Sequence, residues 1–279
     1  MNETEYRWTT KDNFRLYAKS WEPDSPPRGI INLVHGLGEH INRYQLWSET
    51  FVNEGYAVLG FDHRGHGRSE GKRGDIPSFD FFMNDLDLLL QQAEIIFPQI
   101  PIILYGHSLG GNIVINYVLR DRKKPQCVIA TSPWLRLALN LPEIKLKAGR
   151  IVKTIIPGFI QKNNINSKDL SHIPEVSGQY NEDPLVHNRI SLRLFFESVN
   201  AGLWTIENAD KLNMPLLLMH GSSDRITSHQ ASSEFAEKAK QFTTFKIWDG
   251  LYHELHHEIE KDKVFQFLIN WIRIYMEEV

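Results

Sequence analysis

Residues 106–110, Gly-His-Ser-Leu-Gly, follow an apolar run from Ile102 to Tyr105 and precede a helical pattern from Asn112 to Leu119. A serine between two glycines in a strand–turn–helix setting sits on a turn too sharp for side chains two positions away. Gly106 and Gly110 remove that clash, and Gly111 adds room. The turn lifts the Ser108 hydroxyl clear of the sheet as a candidate nucleophile. The plainer alternative is a glycine-rich turn whose serine caps the helix.

The pattern on either side of this turn is that of alternating strands and helices. Tyr6 to Thr10 and Phe14 to Ser20 read as a hairpin closed by Lys11-Asp12-Asn13. Gly29 to Val34, Ala57 to Phe61, Gln126 to Thr131, Pro215 to His220 and Phe245 to Trp248 are short apolar runs of the kind a sheet covered on both faces requires. Tyr44 to Asn53, Ser78 to Phe97, Ala231 to Lys240 and Lys263 to Met276 carry helical spacing. An α/β fold with a mostly parallel sheet and helices on both faces is expected. Between residues 134 and 210 the buried strands stop, and helical patches are broken by Pro142, Pro157, Pro174 and Pro184. This stretch reads as a helical cap inserted between core segments 1–133 and 211–279.

A serine hydroxyl needs an oriented base, and the base needs a carboxylate. After a nucleophile turn of this kind the chain order is serine, acid, histidine. Asp224 follows the apolar run Leu216 to Met219 and falls at the carboxyl end of a strand, the edge where Ser108 emerges. Asp210 and Asp249 lie where turns use an aspartate. His253 falls in the loop after the strand ending at Trp248, whereas His256 and His257 lie nearer the next helix and read as solvated. The oxyanion formed by attack on an ester needs donors already in place. The backbone amides of Leu109 and Leu37, the latter in His35-Gly36-Leu37-Gly38, occupy the expected positions. Asp62 to Ser69 reads as a tight hydrogen-bonded loop rather than part of the machinery. His253-x-x-His256 is not a zinc spacing, so neither a metal nor another cofactor is expected.

Taken in order, several stretches resemble the monoacylglycerol lipase and lysophospholipase-like branch of the α/β-hydrolase superfamily. They are His35-Gly36-Leu37-Gly38-Glu39-His40 with Arg43-Tyr44, then Asp62 to Gly71, Gly106 to Gly111, Tyr180 to Leu185, His220 to Asp224, and Tyr252 to His256. The resemblance implies the α/β-hydrolase fold, an apolar acyl tunnel under a mobile cap, and a polar pocket for a glycerol head lined by Glu39, Arg43, His107 and Tyr180. Glu39 and Arg43 also suit a mutual ion pair that shapes the loop. Leu37 departs from the smaller residue common there, a change that bears on substrate preference. The expected activity is hydrolysis of monoacylglycerols. Lysophospholipids or a broad range of esters are the enzymatic alternatives, and a ligand-binding module on a hydrolase fold is the non-enzymatic one. Relatives that cleave haloalkanes or epoxides carry aspartate where Ser108 stands.

The remaining features concern partners and location. A net charge of −3 does not favour nucleic acid. A single cysteine, Cys127, allows no internal disulfide, which fits a reducing compartment. The first residues lack the pattern of a signal peptide, and no run approaches the ~20 apolar residues of a membrane span. A cytoplasmic protein, in peripheral contact with membranes at most, is the expectation. Ile144, Ala148, Ile151, Val152, Ile155, Ile156 and Phe159 make one apolar helical face, with Lys145, Lys147, Arg150, Lys153 and Lys162 around it. Such a face ordinarily packs on its own core or lines a tunnel, but the basic flank also suits an anionic lipid surface.

Overall fold

The computed structural model describes residues 1–123, 125–139 and 142–276. In chain order the core begins with β1 (Asn2–Thr9), β2 (Arg15–Glu22), β3 (Ile30–Val34), α1 (Gln45–Asn53), β4 (Ala57–Phe61) and α2 (Phe79–Ile96). It continues with β5 (Ile102–His107), α3 (Leu109–Leu119) and β6 (Cys127–Thr131). The intervening stretch holds α4 (Glu143–Ile155), β7 (Ile160–Lys162), α5 (Pro174–Glu182), β8 (Arg189–Ser191) and α6 (Leu192–Glu207). The chain closes with β9 (Leu216–Gly221), α7 (His229–Lys238), β10 (Thr243–Trp248) and α8 (Lys261–Met276).

Eight strands form one sheet in the order β1-β2-β4-β3-β5-β6-β9-β10. β1 and β2 are antiparallel to their neighbours, and every pairing from β4 to β10 is parallel. Alternate residues of each parallel strand feed opposite faces. Ile30, Leu104, Val128 and Leu216 join α2, α3, α6 and α7 on one side. Ile31, Ile103, Ile129 and Leu217 join α1 and α8 on the other. The apolar runs are continuous because both faces are covered. The chain passes from β3 to β4 on one side and then to β5 on the other. The carboxyl ends of β3 and β5 therefore flank a change of direction, where open α/β sheets place their ligands.

The stretch between β6 and β9 divides into parts with different attachments. Residues 163–191 are hydrogen-bonded to core loops: His187 N donates to Gly38 O at 2.8 Å, Glu254 N to Leu170 O at 2.8 Å, and Ser191 N to Gly74 O at 2.7 Å. His40 Nε2 lies 2.8 Å from Asp183 Oδ2. α6 falls within the stretch assigned to the cap, yet it packs beside α3 and α7. Asn112 Nδ2 donates to Ser198 O at 3.0 Å, and Asn116 Nδ2 to Ala201 O at 3.1 Å and Thr205 Oγ1 at 2.6 Å, which ties α6 to the helix that follows Ser108.

α4 stands apart. Its expected apolar face does not pack on the core: Ile144, Ile151 and Ile155 are 77%, 65% and 73% exposed. The helix instead presents Gly149 to the ring of Phe196 and Lys153 to Glu197, both on α6. The side chain of Lys145 lies outside the described residues. No helix among the described residues is long and apolar enough to cross a membrane.

Candidate active site

The residues singled out from sequence converge at the carboxyl edge of the sheet. Ser108 joins β5 to α3 with φ 55° and ψ −116°, a left-handed conformation held by Ser108 N donating to Thr131 O and by Ser108 O accepting from Trp134 N, each at 2.9 Å. A Cβ on Gly106 would fall on the Gly110 carbonyl, and one on Gly110 would fall on the Val34 carbonyl. Ser108 does not cap α3 with its side chain. Its Oγ lies 3.0 Å from His253 Nε2, and His253 Nδ1 lies 2.7 Å from Asp224 Oδ2.

The carboxylate end of this row is saturated. Asp224 Oδ1 accepts from Ile226 N at 2.7 Å and Thr227 N at 3.0 Å, and Oδ2 accepts from Thr227 Oγ1 at 2.9 Å. Burial pushes the Asp224 carboxyl up, but His253 and His220 beside it prevail and hold it well below the usual carboxylate range. Burial likewise works against charge on His253, and the adjacent Asp224 carboxylate prevails, raising the imidazole above its ordinary value. An ionised carboxylate only accepts, so Nδ1 of His253 carries the proton and Nε2 faces Ser108 as an acceptor. That is the tautomer a general base requires. The rival aspartates stand elsewhere: Asp249 meets Ser222 at the surface, and Asp210 is exposed.

The Leu37 loop passes directly over Ser108, since a Cβ on Gly36 would come within 3.2 Å of Ser108 Cβ. Among the described residues the Leu37 amide donates to no protein group. Leu109 is the first residue of α3, where an amide lacks an intrahelical acceptor. Neither amide is thus held by a protein acceptor among the described residues.

Ser108 also opens on a cavity of about 450 Å³ lined by Leu37, Trp134, Leu146, Ile190, Leu192, Phe195 and Phe196, with Lys162, Asn163 and Arg225 among its polar residues. Its wall is apolar on the side of Trp134, Phe195 and Phe196 and polar on the side of Gln161, Asn164, Asn166 and Asp169. Glu39, Arg43, His107 and Tyr180 gather on another side of Ser108 and His253, around a space of about 20 Å³. Burial, reinforced by His253, keeps the His107 imidazole well below its ordinary pKa, and its Nδ1 lies 3.0 Å from Thr131 Oγ1. Burial raises the Tyr180 hydroxyl despite the Arg43 guanidinium over its ring.

The profile of the family described as serine aminopeptidase, S33, matches residues 25–260. The monoacylglycerol lipase of Mycolicibacterium smegmatis is 30% identical over 96% of this chain and 96% of its own. The chain belongs to the monoacylglycerol-lipase-like branch of the α/β-hydrolases. Paleococcus ferrophilus monoacylglycerol lipase, a solved structure of 32% identity, matches with a TM-score of 0.85 over 93% of this chain and 99% of that one. An abhydrolase domain-containing protein of Dictyostelium discoideum is 33% identical over 96% of this chain, which spans 29% of that longer protein.

The structure of this hydrolase adds residues that sequence reasoning missed, and it corrects one expectation. His220, the last residue but one of β9, lies 3.0 Å from Asp224 Oδ2 through Nε2 and 2.8 Å from Ser232 Oγ through Nδ1. A histidine four residues before the acid was the available signal. Glu254, chain neighbour of His253, holds Arg43. His256, expected in solvent, is only 2% exposed and stacks on Tyr44 at 4.6 Å between ring centroids. The short 3-10 turn Leu255–His257 folds it beneath Tyr44 and Trp47. Glu254, His256 and His257 each place one ligating atom within 4.8 Å of the others. Arg43 and His257 already hold the Glu254 carboxylate by hydrogen bonds. The Asp62 loop is structural: Asp62 Oδ1 accepts from Ile41 N at 2.9 Å and Oδ2 from Arg68 N at 2.7 Å.

Proposed function

We propose that this hydrolase cleaves monoacylglycerols to fatty acid and glycerol with Ser108 as nucleophile, His253 as base and Asp224 as its orienting acid. One observation carries the reading: an unbroken hydrogen-bonded row, 3.0 Å then 2.7 Å, whose serine lines a cavity with an apolar wall. His253 Nε2 takes the Ser108 proton as Oγ attacks the ester carbonyl, and the Leu37 and Leu109 amides hold the negative oxygen. The protonated histidine gives its proton to the glycerol oxygen as the carbon–oxygen bond breaks. Water then attacks the acyl-serine, passes its proton through His253 to Ser108, and releases the fatty acid.

A lysophospholipid is the second reading, because Lys162 and Arg225 line the same cavity and would meet a phosphate head. Hydrolysis rates on a monoacylglycerol, a lysophosphatidylcholine of the same acyl chain and short nitrophenyl esters separate the two. Labelling by a fluorophosphonate, lost in Ser108→Ala, tests the nucleophile itself. An unlabelled wild-type protein would make the fold a binding module.

The exposed apolar face of α4, flanked by Lys147 and Arg150, supports transient docking on anionic lipid, where the acyl chain would enter. Flotation with anionic vesicles is the test. Binding that survives Ile151→Ser with Ile155→Ser, or no binding by the wild type, would remove this part of the reading.

A further inference from the structure

Arg43 stands where three parts of the site meet. It lies in the short 3-10 turn Ile41–Tyr44, and its side chain is buried. Nη1 is 2.5 Å from Glu39 Oε2 and 2.6 Å from Glu254 Oε1, and Nη2 is 2.8 Å from Glu254 Oε2. The other oxygen of Glu39 accepts from the Gly36 amide at 2.6 Å and the Tyr44 hydroxyl at 2.8 Å. Gly36 precedes Leu37, and Glu254 follows His253. The Tyr180 ring of α5 covers the guanidinium at 4.9 Å.

Every oxygen of both carboxylates is thus engaged by a protein donor. The space beside them, about 20 Å³, is lined by Ser108 and His253 as well, so the clamp borders the row that joins these two residues. A guanidinium is a rigid planar fork able to grip two carboxylates at once, whereas an ammonium is a point charge.

We propose that Arg43 is a positioning residue for the hydrolysis: its guanidinium ties the loop that carries the Leu37 amide to the loop that carries His253, fixing the separation of oxyanion donor and base. The proposal rests on the hydrolase reading of Ser108, His253 and Asp224. Reactive groups displaced by about 1 Å cost about 100-fold in rate, so the tie acts on turnover rather than on substrate affinity.

The test compares Arg43→Lys with the wild type on the glyceryl and methyl esters of one fatty acid. The expected result is a fall in kcat of about 10- to 100-fold on both esters, with KM within about threefold. A rise in KM on the glyceryl ester alone, with kcat on the methyl ester intact, would make Arg43 a head-group ligand and overturn the proposal. So would full kcat on both esters. Thermal unfolding monitors the fold. Should Arg43→Lys not fold, Glu254→Gln, which keeps the side-chain volume, is read by the same split, and unchanged kcat there also overturns the tie. Failure of the underlying reading is separate: the wild type would then take no fluorophosphonate label on Ser108.

Discussion

His220 donates to the same carboxylate oxygen of Asp224 that holds His253: its Nε2 lies 3.0 Å from Oδ2, and His253 Nδ1 lies 2.7 Å from it. Because burial depresses the His220 pKa despite that carboxylate, the ring stays neutral. Its single proton sits on Nε2, and Nδ1 accepts from Ser232. The acid is therefore clamped from the sheet side as well as from its own loop. His220→Ala is expected to lower kcat about 10-fold with KM little changed, because Asp224 gains freedom that the base then inherits. Steady-state kinetics on one ester measures it. Wild-type turnover would show that Thr227 and the loop amides hold Asp224 alone.

In the proposed reaction His253 must be neutral to accept the Ser108 proton. Burial lowers the His253 pKa, but Asp224, then Glu254 and Glu39, raise it to a net value above the ordinary one. The limiting rate constant kcat/KM should accordingly rise with pH through a midpoint above about 6.5, the reference for histidine. A profile flat from about pH 5 to 9 would contradict His253 as the base.

Stability should respond to pH in the opposite region. Burial, the leading cause in each case, holds His35, His66, His107 and His256 well below the ordinary value, and brings His63 and His187 to about 4. Between the folded values and about 6.5, the unfolded chain binds protons that the folded chain refuses, so stability is present above about 6.5 and is lost as pH falls. Each such group contributes a slope of up to about 1.4 kcal/mol per pH unit. Urea midpoints measured from pH 7 to 5 should fall steadily. His63→Gln, if folded, should flatten the dependence. A midpoint constant over that range would contradict this.

Ser108 carries a Cβ at φ 55° and ψ −116°, a region where such strain costs about 1–3 kcal/mol. Ser108→Gly relieves it, and Ser108→Ala does not. Both variants should be inactive. The glycine form should be the more stable by about 1 kcal/mol after its greater loss of chain entropy. Chemical denaturation of the pair decides it, and an alanine form of equal or higher stability would remove the claim of strain.

Much of this arrangement was legible along the chain because its causes are local. The two-faced burial of a parallel sheet writes itself as short continuous apolar runs, and β3, β4, β5, β6 and β9 lie close to where those runs fall. A turn that admits no Cβ at positions 106 and 110 announces the placement of Ser108. The order of Asp224 and His253 follows from which strands end at that edge. Apolar periodicity was a poorer guide in α4, whose stripe faces outward. Periodicity reports that one side of a helix is apolar and carries no information about what covers it. α6 shows the converse, since its attachment to α3 depends on Asn112 and Asn116, polar residues that no hydrophobic pattern would select.

Local constraints in the chain, namely alternating burial and glycines where a carbon atom cannot fit, were enough to place the strands of the main sheet, the sharp turn and the loops that leave the same edge, though not the short pair β7 and β8. Contacts between distant residues were beyond them. Arg43 and Glu254 are 211 positions apart, and nothing in either neighbourhood states that they meet. His256 looks like a surface histidine until the fold lays Tyr44 over it. Folding decided these contacts because a buried charge or ring is set by the surroundings that exclude water from it, and those surroundings come together only when remote segments pack.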